Sequence, residues 1–246
     1  YGVLLAAEDD PEIEGTLEDG TVVGIQATGR NFMVGRALYE DTSSGGRRQF
    51  GWMGTMLDHP DEDSVVNALD AHFFSADNRW VVDTQFLHSD NHGVTGQGFT
   101  GDLSFRPQRG INHTFRATYF DDTFNMSEMG FLTRNDQANL DYNYFQIESN
   151  LEGLRQRTTS VFITNQWNTA GQPVRLGAFF NRDYQFENFN SINWSVRVFP
   201  SRVDDRLGRG TGDFVLPTRF GVNGGYQTNV AEEFAWNVGF ELSQDD

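Results

Sequence analysis

Apolar residues recur at every second position along most of this chain, and a period of two is the signature of extended strands with two chemically different faces. Phe99, Gly101, Leu103 and Phe105 form one such series; Ile192, Trp194, Val196 and Val198 form another; Phe234, Trp236, Val238, Phe240 and Leu242 form a third. Between them stand Thr100, Asp102 and Ser104, then Asn193, Ser195 and Arg197, then Asn237 and Glu241. The second face is therefore hydrated and charged, so the two faces call for different solvents.

The pattern repeats at strand-plus-turn spacing. Strands are predicted at 3–8, 21–28, 31–40, 49–58, 66–75, 80–89, 96–106, 113–121, 140–151, 158–168, 174–186, 191–199, 219–228 and 234–243. They are joined by segments rich in Gly, Pro, Asp and Ser, such as Thr42-Ser43-Ser44-Gly45-Gly46, the residues that turns select. That makes about fourteen strands, most near the nine to eleven residues of a tilted membrane strand. The longest wholly apolar run, 3–7, is far short of the roughly 20 residues of a spanning helix, so any membrane crossing is by strands. The expected fold is all-β: an antiparallel, up-and-down transmembrane barrel or a portion of a larger one, forming a single domain over 1–246. A soluble β-sandwich or solenoid also alternates, because one face is a core; shorter strands and fewer outward Trp and Phe would be its marks. The 22 Phe and 26 Gly suit strands that display aromatics and turn tightly.

Parity assigns the faces. Trp80, Phe105, Trp194, Val196, Trp236 and Val238 fall on the apolar parity and are expected to meet lipid. Asp70, Asp83, Asp102, Arg106, Arg116 and Arg197 fall on the opposite parity and are expected to line a pore. A charge on the lipid side costs about 2 to 4 kcal/mol near the midplane, which is why the segregation is informative. Phe120, Phe162, Phe179 and Phe199 also point inward, as volume fillers or as a stacking track for sugars. The net charge is −17 and every one of the 18 basic residues is Arg; no basic stripe exists for nucleic acid. The absence of Cys excludes disulfides and thiolate chemistry.

Gly130-Phe131-Leu132-Thr133-Arg134-Asn135-Asp136, after Phe124-Asn125-Met126-Ser127-Glu128-Met129, resembles a motif of a family of bacterial outer-membrane proteins of unassigned function. In that family a carbohydrate-binding module of the family-nine type precedes a large β-barrel. Asn31-Phe32-Met33-Val34-Gly35-Arg36 and Asp204-Asp205-Arg206-Leu207-Gly208-Arg209-Gly210 match as well. The resemblance runs from about Val3 to Gly212 and does not include the module. It implies a piece of barrel wall in a Gram-negative outer membrane, concerned with binding or taking up sugars at the surface. The final residues, Leu242-Ser243-Gln244-Asp245-Asp246, lack the aromatic end of a closing barrel strand, which also points to a portion of a longer wall.

No catalytic constellation is expected. Neither a Gly-x-Ser-x-Gly elbow nor a His-Glu-x-x-His run is present; a hydrolase at the rim would have to draw on His72, Asp83 and His88. His88-Ser89-Asp90-Asn91-His92 spaces three ligand-type residues two apart, but reads more simply as a polar turn. Glu8-Asp9-Asp10-Pro11-Glu12 and Asp58-His59-Pro60-Asp61-Glu62-Asp63 lack the loop pattern of a calcium site. Gly208-Arg209-Gly210-Thr211-Gly212 has no following Lys and helix to make it a phosphate loop. The sequence thus predicts a channel for small polar solutes, sugars among them, with a weak cation preference if the acidic loops lie at its mouth, the lipid bilayer as partner and neither metal nor cofactor. The alternative is a non-conducting anchor for a surface module.

Overall fold

The computed structural model describes residues 1–10, 12–26, 28–43, 45–60, 63–127, 130, 132–207 and 212–244. Among them the only regular elements are strands: β1 (Gly2–Ala7), β2 (Glu12–Thr16), β3 (Val22–Gln26), β4 (Asn31–Asp41), β5 (Arg47–Asp58), β6 (Ser64–Phe74), β7 (Trp80–Asn91), β8 (Val94–Phe105), β9 (Ile111–Phe120), β10 (Gln137–Leu151), β11 (Leu154–Trp167), β12 (Pro173–Phe186), β13 (Ser191–Phe199), β14 (Arg202–Asp204), β15 (Phe214–Leu216), β16 (Arg219–Gln227) and β17 (Asn237–Gln244). Thirteen form one antiparallel sheet in the order β1-β4-β5-β6-β7-β8-β9-β10-β11-β12-β13-β16-β17, and two hairpins, β2-β3 and β14-β15, stand outside it. The sheet is open: β1 and β17 are its edges and do not pair with each other.

The all-β, antiparallel, meandering character follows from the alternation. Three details differ from expectation. The second predicted strand, 21–28, pairs with Glu12–Thr16 in a hairpin rather than joining the sheet; Pro11 and Gly15 beside Asp9 and Asp10 give that stretch the composition of a turn. The β14-β15 hairpin is made of three-residue strands, too short for any period to show. β17 begins at Asn237, so Phe234 and Trp236 precede the strand that their alternation would have extended.

All the connections of the sheet alternate between its two ends. One end carries 42–46, 75–79, 106–110, 152–153, 187–190 and 228–236; the other carries the β2-β3 excursion, 59–63, 92–93, 121–136, 168–172 and the β14-β15 excursion. The 92–93 turn is a two-residue hairpin in which His92 (φ 52°) and Gly93 (φ 78°) both take left-handed backbone, the geometry that matches the twist of the flanking strands.

Candidate functional site

Residues directly paired across neighbouring strands share a face, so the register lets each face be followed across the sheet. On the first face Trp80 pairs with Phe105, Val82 with Leu103 and Phe86 with Phe99, and these continue to Phe115 and Tyr119, Leu140 and Tyr142, then through Ile163 and Ala178 to Val198 and Phe220. Most of these side chains are open: Phe86 is 61 %, Leu140 56 % and Phe115 47 % exposed, as are Leu69 opposite Phe86 and Val238 on β17. On the second face lie Leu57, Ala68, Phe120, Gln49, Ser64, Asp70, Ser89 and Thr164, which are buried. Large apolar side chains thus stand open on the first face, and the buried side chains lie mostly on the second, where Asp83, Asp102 and Arg116 nevertheless stay 41, 38 and 58 % exposed.

The apolar face is a band that drifts along the strands. In the middle of the sheet it is centred on the row Asp83, Asp102, Arg116, Asp141, since Val82 and Thr84, Leu103 and Gly101, Phe115 and Ala117, and Leu140 and Tyr142 flank those four residues. At one edge the band is centred on Leu5, which pairs through Met33, Met56 and Val65 to the polar Asp90. At the other it is centred on Phe240, which pairs through Gly224, Trp194, Arg182 and Thr159 to Gln146. The margins of the apolar face carry charge: Arg157 donates to Glu148 at 2.7 Å, and Arg182 lies over Tyr184. Segregation of charge is therefore confined to the band and does not extend over whole strands, because β10, β11 and β12 run past it.

Behind the band's centre runs a continuous charged row. His72 faces Asp83 with Nδ1 2.5 Å from Oδ1, and its Nε2 lies 3.3 Å from Asp70 Oδ2. Arg116 Nε donates to Asp102 Oδ1 at 2.7 Å. Asn139 Nδ2 donates to Asp141 Oδ2 at 2.8 Å. Asp70 is 7 % exposed, with the Arg36 guanidinium 3.5 Å away, and neither carboxylate oxygen has a hydrogen-bond partner within the protein. It fits there because its cross-strand neighbour is Gly51, where a Cβ would collide with the carboxylate. Asp141 Oδ1, Asn139 Oδ1 and Thr164 Oγ1 are likewise without protein partners, a group of polar atoms suited to water or a polar solute. A cavity of about 310 Å³ opens on Arg36, Asp70, His72, Asp83, Gln85 and Asp102.

Two long connections lie over this second face or join above it. In 121–136, Phe124 is fully buried and stacks on Phe120 at 4.9 Å. Gly96 and Gly98 make room, since a Cβ on either would strike the Phe124 backbone or the Phe120 ring. The Asn125 amide donates to Ser89 Oγ at 3.1 Å, and Asn91 Nδ2 donates to the Asn125 carbonyl at 3.0 Å. The loop then reaches the β14-β15 excursion through Arg134, whose two terminal nitrogens donate to both Asp205 oxygens at 2.9 and 2.5 Å. That fork holds the Asp205 carboxyl below the usual carboxylate range and the Arg134 guanidinium above its ordinary value, in each case against the opposing effect of burial. Arg206 donates to the Asn135 carbonyl at 3.3 Å, Asn168 to Asp205 at 3.3 Å, and the Thr169 amide to Asp136 at 2.7 Å. Three connections are thereby tied into one lock.

The pore-lining expectation placed Asp70, Asp83, Asp102, Arg116 and Arg197 together, and all five share the second face. Arg197 sits away from the row, opposite Phe179 and paired with Glu241. Arg106 lies past the end of β8, in an exposed turn. Of the residues expected on the apolar side, Trp80, Phe105, Trp194, Val196 and Val238 share that face. Trp236 precedes β17 and meets Tyr226 with the rings tilted by 53° at 5.2 Å. His72 and Asp83 come together but His88 is on the other face, and Asp70 occupies the side of the imidazole where a triad places its nucleophile. The His88–His92 run divides: Ser89 is buried on the second face and His92 reaches Asp63 in the turn, with Nδ1 at 2.6 Å. Among the described residues no three His, Asp or Glu side chains gather as a metal site. Asp61, Glu62 and Gly208-Arg209-Gly210-Thr211 lie outside the described residues. Asp141 was legible from parity within 140–151, whereas nothing in the sequence links Arg134 to Asp205.

Residues 55–246 match the family described as a domain of unknown function, DUF5916, and the chain belongs to that family. The description names no activity, no membrane and no carbohydrate module. Neither a curated protein nor a solved structure matches the chain.

Proposed function

We propose that this member of the DUF5916 family is wall of an outer-membrane β-barrel whose charged second face lines a water-filled path for small polar solutes. The observation that carries the reading is the division of the faces: large apolar side chains stand open on one, while carboxylates and guanidinium groups occupy the other, on which Phe124 and Asn125 pack against Phe120 and Ser89. Water rewards the opposite arrangement, and hydrocarbon rewards this one. The sheet's two free edges, β1 and β17, have to be paired before the wall is placed in lipid, because unpaired backbone groups cost several kcal/mol each there. A hydrated lining lowers the barrier to polar solutes, and its fixed charges set which ions enter. Asp70, Asp83, Asp102 and Asp141 outweigh Arg36 and Arg116 in the central row, so the path favours cations. Loop 121–136 narrows it, lying on the second face through Phe124 and Asn125.

The test is conductance in planar bilayers under a salt gradient. Stepwise openings with a cation-signed reversal potential, reduced by Asp83→Asn with Asp102→Asn, are expected. An anion-signed potential would defeat the assigned lining, and electrical silence in a protein that extracts only in detergent would leave an anchor instead.

A further inference from the structure

We propose that the end of the sheet carrying turns 75–79 and 106–110 holds an anion pocket for phosphate monoesters, built by Arg79, Arg106 and Arg109 with Asn112 and Phe145. The pocket goes beyond the channel reading, since it does not need the wall to conduct. A cavity of about 520 Å³ is lined by these five residues together with Asp77, well within the range of small-molecule sites. Arg79 closes the first turn, Arg106 and Arg109 belong to the second, and Asn112 on β9 pairs with Phe145 on β10. Asn112 and Phe145 have the second-face parity of Arg116 and Asp141. The Arg106 amide donates to the Arg79 carbonyl at 2.8 Å, which holds the two turns side by side. Gly110, in left-handed backbone at φ 84°, seats the second turn against β10, where a Cβ would come within 2.4 Å of the Ile147 carbonyl oxygen.

The charge in this pocket is not balanced. Among the described residues, the Arg106 and Arg109 side chains make no ion pair, hydrogen bond or ring contact. Arg79 Nε stands 3.6 Å from Asp77 Oδ2, with both side chains more than half exposed. Asp77 is also engaged by Ser75 Oγ, which donates to its Oδ1 at 2.6 Å, and by the Arg79 amide at 3.1 Å. Three guanidinium groups thus meet one carboxylate, in a chain whose net charge is −17. A phosphate monoester carries a charge of about −1.5 to −2 near neutrality and offers three acceptor oxygens, which planar guanidinium forks grip in pairs. Two features favour an organic ester over bare phosphate. Asn112 Oδ1 is buried without a partner while its Nδ2 donates to Thr114 Oγ1 at 3.0 Å, so the lining has an acceptor ready for a ligand hydroxyl. Phe145 is 39 % exposed and gives the organic part a ring to pack on. A soluble sugar phosphate and a phospholipid headgroup share this chemistry. Trp80 and Phe105, each next in sequence to an arginine of the pocket, stack at 4.1 Å on the first face, where an aromatic girdle at headgroup level would stand in the proposed wall.

Isothermal titration of the full chain in detergent, with glucose 6-phosphate, dioctanoyl phosphatidic acid, acetate and glucose as probes, tests the pocket without requiring conductance. At least one of the two phosphates is expected to bind at least about tenfold tighter than acetate or glucose. Arg106→Gln and Arg109→Gln should each weaken that phosphate about tenfold, and Arg106→Lys less, because a point charge keeps the attraction and loses the fork. Arg79→Gln should weaken it severalfold, since Asp77 already takes part of that charge. Arg47→Gln, at the same end of the sheet but answered by Glu40 at 2.9 Å, should leave it unchanged. Weakening at the soluble ester, with or without the lipid, assigns a free solute; weakening at the lipid alone assigns a headgroup. Acetate or glucose binding as tightly as the phosphates, no binding of either phosphate, or parental affinity in both Arg106→Gln and Arg109→Gln would overturn the pocket; if one of these variants fails to fold, the other decides on the same terms. Silent bilayers with intact phosphate binding would end the channel and keep the pocket, and conducting channels without phosphate binding would do the reverse.

Discussion

Asp205→Asn opens the loop lock and leaves the sheet in place. The Arg134 and Asp205 side chains are only 15 % and 14 % exposed, and removing one partner of a buried ion pair costs about 3 to 5 kcal/mol because the other charge is stranded. Arg134 keeps Asp136 at 4.0 Å, and residual solvent access screens what remains, so about 2 to 3 kcal/mol is expected here. At 1.4 kcal/mol per tenfold, the loops open roughly 30 to 140 times more often. Hydrogen exchange reads this directly at two amides: Thr169, which donates to Asp136 Oδ1 at 2.7 Å, and Asp136, which donates to the Asp121 carbonyl at 3.0 Å. Both should exchange faster by that factor, while amides inside β7 and β8 keep their parental rates. Replacing both partners by apolar residues, Arg134→Met with Asp205→Leu, should restore most of the protection, since no charge is then left alone. Exchange at Thr169 within twofold of the parent in Asp205→Asn would refute the reasoning.

The same lock should respond to acid with a defined sign. Asp205 has its carboxyl held down in the folded protein, so its contribution is complete above the ordinary carboxylate value of about 3.9 and is lost as pH falls through the lowered one. Thr169 exchange, corrected for its intrinsic pH dependence, should stay flat from neutrality to about pH 4 and accelerate below; acceleration already at pH 6 would contradict this. Leu69→Arg on the open face should cost about 2 to 4 kcal/mol in urea-monitored refolding into bilayers, and Thr100→Arg, on the other face beside Gln85, well under half of that. Equal costs would mean that the faces are assigned wrongly. Gly51→Ala drives a methyl group into the Asp70 carboxylate and should cost roughly 1 to 3 kcal/mol, relieved when Asp70→Ala is added; no relief would show that the carboxylate is not what the methyl group meets.

The strands of the sheet were legible because Trp80, Val82, Phe86 and their partners alternate without interruption, and alternation reports which face a residue occupies regardless of what covers it. That is also why Asp70, Asp83, Asp102 and Arg116 could be grouped before their contacts were known. Sequence could not say which of them meet. His72 on Asp83, or Asp102 on Arg116, is a matter of register, and register is set by the lengths of turns that composition marks only approximately. Arg106 shows the limit of extrapolating a period: it keeps the parity of β8 but lies one residue past its end. The lock was illegible for a different reason. Arg134 and Asp205 are brought together by the fold of two irregular connections, where no period operates and the pairing carries no local signal.

What solvent the open face is built for can be argued from two magnitudes. A compact soluble chain of 27.8 kDa exposes about 11,000 Å², whereas this one exposes 15928 Å², an excess that a sheet solvated on both sides produces and a sandwich does not. The second magnitude is the drift of the apolar band. From its centre at Asp83 the row through Leu5 has moved to Asp90, and from its centre at Asp141 the row through Phe240 has moved to Gln146. Together these displacements are about twelve residues over the twelve neighbour steps of the 13-stranded sheet, or about one residue per strand. A climb of roughly 3.3 Å for every 4.8 Å across tilts the strands by about 35° on average from the normal to the band. Membrane barrels tilt their strands by about 35 to 45°, so the average drift matches what the proposed hydrocarbon slab requires, and it is gathered in the two flanks of the sheet, with no displacement along the row from Asp83 to Asp141. Spin labels at Leu5, Val82 and Phe240 should therefore report similar depth in a bilayer, although no hydrogen-bonded row connects them. Depths that followed the rows instead would remove the slab from the account.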